Sequence, residues 1–363
     1  NRNLIINGAM QVAQRGTSAT SSGYQTVDRF TTDFGTTDNA PTFAQVDVNS
    51  SDAGDNPYAK GLTKCFKITN GDQTSNAQAS SYIRFNTILE ARDVRNSGWN
   101  YTSSSSFITL SFYVKSSVAQ NFYGMVFSQD GSPQAFSFET GSLTVNTWTR
   151  VIVKIPGASN IQFDDNEKQG LFIYWWAYNG TTYSNASNNL NTWGGFNGSS
   201  RTPVNPVGWY ETNDATFEIT GVQLEVGSVA TDFEHRSFGQ ELALCQRYFQ
   251  TVSRSSNANS VNGTFAAGTC NNNGGSGGIL QVMVRFQTTM RAVPTMTQSG
   301  TFSHHVSGVN VADTSVAFSQ AYIDGVKCTG TQTAFVSADG SAGELTSKYS
   351  DTSTAIIKAS AEL

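Results

Sequence analysis

The chain has 363 residues and a net charge of −5, with 13% of residues charged and 12% aromatic. It is long enough for two domains with real cores, too rich in aromatic and β-branched residues for disorder, and without the basic run that counterion-release binding to nucleic acid uses. No stretch approaches ~20 apolar residues, so a transmembrane helix is not expected.

Asn3 to Val12 reads as a short strand, a turn at Asn7-Gly8 and a return. A Ser/Thr/Gly-rich loop runs from Gln14 to Tyr24, and strands are expected at Val27–Phe34, Thr42–Val48, Lys64–Thr69 and Ser81–Phe85. Ile88 to Val94 has the composition of a helical turn. The clearest period of two sets Ile108, Leu110, Phe112 and Val114 against Thr109, Ser111, Tyr113 and Lys115. Asn121–Ser128, Gln134–Phe138, Trp148–Ile155 and the aromatic run Leu171–Tyr178 continue the series, separated by polar turns. Parallel strands need crossover helices, and none is visible before His235, so an antiparallel jelly-roll sandwich is expected. Asn179 to Pro206 is the least regular part, a long polar loop carrying Tyr183, Trp193 and Phe196.

Thr216 to Val226 closes this region. Phe217 and Ile219 alternate with polar residues, and after Gly221 the apolar positions become Val222, Leu224 and Val226. A one-residue phase slip at a glycine is the trace of a β-bulge; two short strands joined by a kink are the alternative. Ser237 then opens a helix, with Gln240 completing a capping box. Phe238, Leu242, Cys245 and Phe249 share one side of it, and that stripe fits either a core or an interface with neighbouring copies. Ser253 to Asn262 reads as a linker. Further strands are expected at Gly278–Thr288, Thr295–Gln298, Ser315–Ile323 and Ala355–Leu363. The expected fold is all-β: a jelly roll over 1–235, a connecting helix over 236–252 and a smaller β-sandwich over 253–363.

Cys65, Cys245, Cys270 and Cys328 follow no metal or redox spacing, which fits buried free thiols in a protein assembled in a reducing cytoplasm. The chain opens on Asn1, without a secretory signal or an initiator methionine. Either the distal part of a longer chain or a processed terminus accounts for that.

The run ITGVQLEVGSVATDFEHRSFGQELALCQRYFQ (219–250) closely resembles a segment recurrent in tail-fibre and related virion proteins of tailed bacteriophages, marine ones especially. NLIINGAMQVAQRG (3–16), TVDRF (26–30), ITLSFYVKSS (108–117) and NTWTRVIVKIPG (146–157) extend the match in the same order. Beyond residue 250 it thins to MRAVPTMTQSGT (290–301) and the ending IKASAEL (357–363). The resemblance implies a jelly roll like those of carbohydrate-binding modules, a homotrimer, and a place on the virion surface beside other tail proteins. Residues 183–210 depart from the pattern, so no loop function is carried over.

Enzymatic constellations are thin. His235 sits between Glu234 and Arg236, His304 and His305 stand alone, and no nucleophile-elbow, zincin or P-loop pattern occurs. Asp164, Asp165 and Glu167 form an acidic turn that fits a solvated loop better than a glycosidase pair. The same turn is a weak calcium candidate, with Asp52 and Asp55 weaker still. Sugars favour aromatic platforms flanked by amides and hydroxyls, a mixture supplied by Tyr183, Trp193, Phe196, Trp209 and Tyr210. For Trp175 and Trp176, mid-strand, a packing role is the plainer reading, whereas Trp193, between polar residues and glycine, is expected to be exposed. The expected role is a cofactor-free, non-enzymatic fibre protein contacting a host surface glycan or protein. A ligand-free decoration or connector protein and a glycan-cleaving tailspike are the rivals.

Overall fold

The computed structural model describes residues 2–255, 264–272, 278–306, 309–312, 315–331, 340–347 and 354–363. Two compact units emerge, Asn1–Leu242 with Leu363, and Ala243–Glu362. The division falls inside the helix that was expected to be a connector.

The first unit is an antiparallel sandwich. Its strands are β1 (Phe30–Gly35), β2 (Thr42–Asp47), β3 (Lys64–Thr69), β4 (Tyr82–Glu90), β5 (Phe107–Ser116), β6 (Asn121–Ser128), β7 (Gln134–Ser142), β8 (Thr147–Pro156), β9 (Gln169–Asn179), β10 (Trp193–Gly195) and β11 (Thr216–Val226). One sheet runs β2-β3-β11-β5-β8, with the two-residue pieces Ser18–Ala19 and Ala53–Gly54 at its edges. The other runs β10-β7-β6-β9-β4-β1. The helical turn α1 (Ala91–Arg95) follows β4, as the composition of 88–94 suggested.

The core lies between the sheets because alternate residues of every strand point there. Phe85 stacks on Trp175 at 5.1 Å, Phe66 approaches Phe85 at 5.0 Å and Phe122 meets Phe217 at 4.9 Å. Each such ring buries a large apolar area and contributes ~1.5–3 kcal/mol. Residues of the opposite phase on the second sheet face outward. There Phe172, Tyr174 and Trp176 stack in file along β9, at 5.7 and 5.4 Å.

The slip in β11 is a bulge. Pairing with β5 shifts between Thr220 and Gln223, and Gly221 sits at φ 62°. The extra residue keeps Ile219, Val222 and Leu224 all in the core. Beyond the bulge β11 no longer pairs with β3, and the freed edge is taken by the N-terminal segment. Leu4 N–H donates to the Leu224 carbonyl at 2.9 Å, and Val222 N–H donates to that of Gly8 at 2.9 Å. The hairpin expected over Asn3–Val12 is therefore absent. Asn3 takes the place of a strand residue with its side chain, donating to the Val222 carbonyl (3.2 Å) and accepting from Leu224 N–H (3.0 Å). Gly8 approaches so closely that a Cβ would lie 2.0 Å from the Val222 oxygen. The resemblance-bearing segments 3–10 and 219–241 are thus joined by hydrogen bonds. Half-buried Arg236 ties them, donating to the carbonyls of Asn3 and Ile5 and pairing with Glu241 at 3.4 Å.

Helix α2 (Phe238–Gln246) has the expected capping box. Ser237 N–H donates to Gln240 Oε1 (3.0 Å), and Gln240 N–H to Ser237 Oγ (3.4 Å). It ends a turn early, because Phe249 is drawn into β12 (Phe249–Ser255). The expected interface stripe is mostly consumed: Cys245 and Phe249 are buried, Leu242 is half-buried, and Phe238 stays 56% exposed.

The second unit adds β13 (Thr264–Asn272), β14 (Gly278–Arg285), β15 (Thr295–Ser299), β16 (Phe302–Val306), β17 (Val309–Ala312), β18 (Ser315–Tyr322), β19 (Gly325–Thr331), β20 (Ala342–Ser347) and β21 (Thr354–Ser360). One sheet is β12-β21-β15 and the other β17-β16-β20-β13-β14-β19-β18. They share a core that includes Phe265, Leu280, Val284, Phe302, Val326, Leu345 and Ile357. Of the expected linker, Ser253–Ser255 completes β12 and 256–262 lie outside the described residues. The four cysteines are buried and none is in a disulfide among the described residues. Among the described residues no helix is long and apolar enough to cross a membrane.

Candidate functional site

Strand β10 is three residues long, and it forms because Trp193 reaches back to the sandwich. The ring packs 5.5 Å from Phe136, and its Nε1–H donates to the Pro156 carbonyl at 2.7 Å. That anchor pairs Gly194 with Ala135 and Gly195 with Gln134, extending the outward-facing sheet by one edge strand. The rest of the long loop folds over this edge. Ser137 Oγ donates to the Arg201 carbonyl (2.8 Å), and Asn188 Nδ2 donates to that of Ser200 (2.7 Å).

Between loop and edge lies a cleft of about 260 Å³. Trp193, Gly194, Gly195 and Ala135 form one part of its lining, and Ser137, Ser187, Asn188, Asn189, Thr192, Asn197 and Ser200 the rest. No charged side chain lines it. The lining joins a half-buried indole to amide and hydroxyl groups, both donors and acceptors. Asn188 spends its amide N–H on Ser200, leaving its Oδ1 buried and, among the described residues, without a partner. The volume sits just below the ~300–1,000 Å³ of clefts for drug-sized ligands, which is room for a sugar ring.

The five aromatic residues singled out from sequence do not converge. Trp193 lines the cleft, though half-buried rather than freely exposed. Phe196 is 39% exposed and packs edge-on against Phe127 at 4.7 Å, beside the cleft residues Gly195 and Asn197. Tyr183 lies further along the outward face, edge-on to Tyr82 at 5.6 Å. Trp209 and Tyr210 are buried in the core and present no face to a ligand. Each found an acceptor for its polar tip: Trp209 Nε1–H donates to the Thr216 carbonyl at 3.0 Å, and the Tyr210 hydroxyl to that of Thr36 at 3.3 Å. An aromatic residue whose one polar atom is satisfied is at home in a core. Trp175 faces between the sheets and Trp176 outward, both buried, as the packing reading had it.

The acidic turn does not gather around a cation. Arg92 pairs with Asp165 and with Glu167, both at 3.3 Å, while Asp164 accepts from the Gln162 amide. Asp52 is held by Lys115 at 2.6 Å and by the Trp148 indole at 3.0 Å. Among the described residues no three His, Cys, Asp or Glu side chains are placed to hold a metal. His235 has a structural task, its Nε2 lying 2.8 Å from the Lys60 carbonyl. His304 and His305 are on β16.

Sequence reasoning named the loop but not its working residues. Asn188, Asn197, Gly194 and Gly195 were hidden in a run of similar residues. Arg201 carried a usable signal, as the one charged residue between Tyr183 and Tyr210.

The first unit is thus an antiparallel β-sandwich with a polar, tryptophan-anchored cleft at the edge of one sheet. No family model and no curated protein sequence matches the chain. Three of the solved structures similar to it are as follows. One is the enzymatically active domain of tailspike protein 4 of bacteriophage CBA120, at 10% identity and TM-score 0.32, over 62% of this chain and 22% of that one. Another is the family 11 carbohydrate-binding module of the Clostridium thermocellum cellulase Lic26A-Cel5E, at 11% identity and TM-score 0.26, over 58% and 95%. The third is the N-terminal cellulose-binding domain of Cellulomonas fimi β-1,4-glucanase C, at 8% identity and TM-score 0.27, over 61% and 99%. At such values the likeness assigns no function.

Proposed function

We propose that this chain is a non-enzymatic attachment protein of a tailed-phage virion, a tail fibre or fibre-like component that binds host-surface glycan through the cleft at Trp193. The cleft carries the reading: an indole beside uncharged amides and hydroxyls matches a sugar's apolar ring face and hydroxyl rim. The resemblance of residues 3–16 and 219–250 to tail-fibre proteins supplies the virion setting. Those segments hold the scaffold together, whereas the cleft lies in the part that departs from the family pattern. A fixed frame with a variable contact loop suits a receptor-binding protein.

A cleft of this size binds weakly. Assembly as a homotrimer on the virion, with other tail proteins, would raise the effective concentration and convert millimolar contacts into firm adsorption. The test is a panel of host-surface oligosaccharides presented to the full chain, with Trp193→Ala alongside. The reading predicts binding of a subset of glycans, weakened about tenfold or more by the substitution, the loss of roughly 1.4 kcal/mol or more. Absence of binding to every glycan at high valency would favour a ligand-free structural part. Shortening of the glycan chains would favour a cleaving tailspike.

A further inference from the structure

We propose that Arg201 and Arg84 form an anion subsite next to the cleft, one that takes the carboxylate of an acidic sugar. This deepens the glycan reading above and rests on it.

Arg84, on β4, and Arg201, in the long loop, are neighbouring charges on the outward face of the second sheet. The Arg84 guanidinium is 5.2 Å from the Tyr174 ring and 5.4 Å from Tyr82, and that of Arg201 is 4.6 Å from Tyr183. Ring faces hold each cation in place. Arg84 has a carboxylate: its Nε and Nη2 both donate to Asp33 Oδ2, at 3.2 and 2.7 Å. Arg201 has none. Among the described residues its guanidinium makes no ion pair or hydrogen bond, and its Nε is buried without an acceptor. The one carboxylate here is thus spent on Arg84, while burial pushes the phenols of Tyr82 and Tyr174 up and keeps them neutral.

An unpaired, half-buried charge is costly. Burial, and then the neighbouring charge of Arg84, pulls Arg201 below the ordinary arginine value, yet a guanidinium keeps its proton. The charge is relieved by an incoming anion. The planar edge of a guanidinium offers parallel N–H donors, which match the two oxygens of a carboxylate. The cleft is adjacent along the chain: Ser200 lines it, and Ser137, which also lines it, donates to the Arg201 carbonyl. A glycan with a neutral ring over Trp193 and a uronic-type residue beyond would use both.

The experiment follows the Arg201 Nε–H by ¹H–¹⁵N NMR in the full chain, titrated with methyl β-glucuronide, methyl β-glucoside and inorganic sulfate. The glucuronide should shift that signal and bind about tenfold or more tighter than the glucoside, the yield of one charge-assisted pair. Arg201→Gln should abolish the preference and Arg201→Lys retain part of it. Equal affinity for the two sugars, an unchanged preference in Arg201→Gln, or sulfate displacing glucuronide at equal concentration would overturn the assignment. If Arg201→Gln does not fold, the wild-type preference decides alone. Neutral oligosaccharide binding at Trp193 without a glucuronide preference removes the subsite and leaves the cleft. Glucuronide binding at Arg201 with no neutral glycan bound removes the cleft reading instead.

Discussion

Replacing Gly221 by alanine tests the joint on which the first unit closes. Gly221 holds φ 62°, and an added Cβ would lie 2.7 Å from Leu62 Cδ1 and 2.8 Å from Tyr113 Cδ2, both buried neighbours. The left-handed backbone alone costs an L-residue ~1–2 kcal/mol, and overpacking a filled site adds ~1–3 kcal/mol. Together they remove about 2–5 kcal/mol from a unit whose whole stability is of order 5–15 kcal/mol. For a unit of this size each kcal/mol lowers the melting temperature by ~2–4 °C. Thermal unfolding followed by near-ultraviolet circular dichroism should therefore show a fall of about 5–15 °C. Gly194→Ala is the control, since nothing lies within 4 Å of its added Cβ, and it should shift stability by no more than ~0.5 kcal/mol. A Gly221→Ala protein melting with the wild type would refute the bulge as the element that sets the register of β11.

Gly194→Gln adds a long side chain at an unstrained position in the cleft lining, so glycan affinity should drop about tenfold or more in titration calorimetry while the melting temperature holds. Acid should loosen the first unit through Glu225 and Glu234. Burial alone would raise both, but hydrogen bonds from Thr231 to Glu225 and from the Asn3 and Arg2 backbone to Glu234 outweigh it and hold both below 4.5. Groups so depressed lend stability above the unfolded value and lose it as pH falls through the folded one. The melting temperature should accordingly decline below about pH 4.5, and less steeply in Glu225→Gln. Cys65 and Cys328 are buried thiols, Cys328 pushed up to about 12 by burial, so a thiol reagent at neutral pH should label them only after denaturant is added. Rapid labelling of the native chain would contradict their placement.

The strands of the first unit were legible because their apolar and polar residues alternate, and β3 and β6 run over the residues the pattern marks. The bulge was legible because Gly221 marks the phase slip. Other features depended on distant partners. Asn3–Val12 has the look of a hairpin, yet its hydrogen bonds go to β11, more than two hundred residues away. Phe249 fits the helical stripe of α2 until pairing with Ser360 claims it. In the second unit β13, β16, β17, β19 and β20 lie outside the expected strands, because they are short or carry Gly, Thr and Ser that dilute the alternation. Trp209 and Trp193 look alike in sequence, each beside glycine in a polar loop. Only the acceptor that each indole finds separates a core residue from a cleft residue.

The most direct test of the central claim is to map a bound oligosaccharide on the full chain by ¹H–¹⁵N NMR, reading the Trp193 indole signal and the Asn188 and Asn197 side-chain amides. The account predicts shifts at those groups that saturate together and vanish in Gly194→Gln. Saturable shifts confined to the second unit, with the Trp193 indole unmoved, would contradict it.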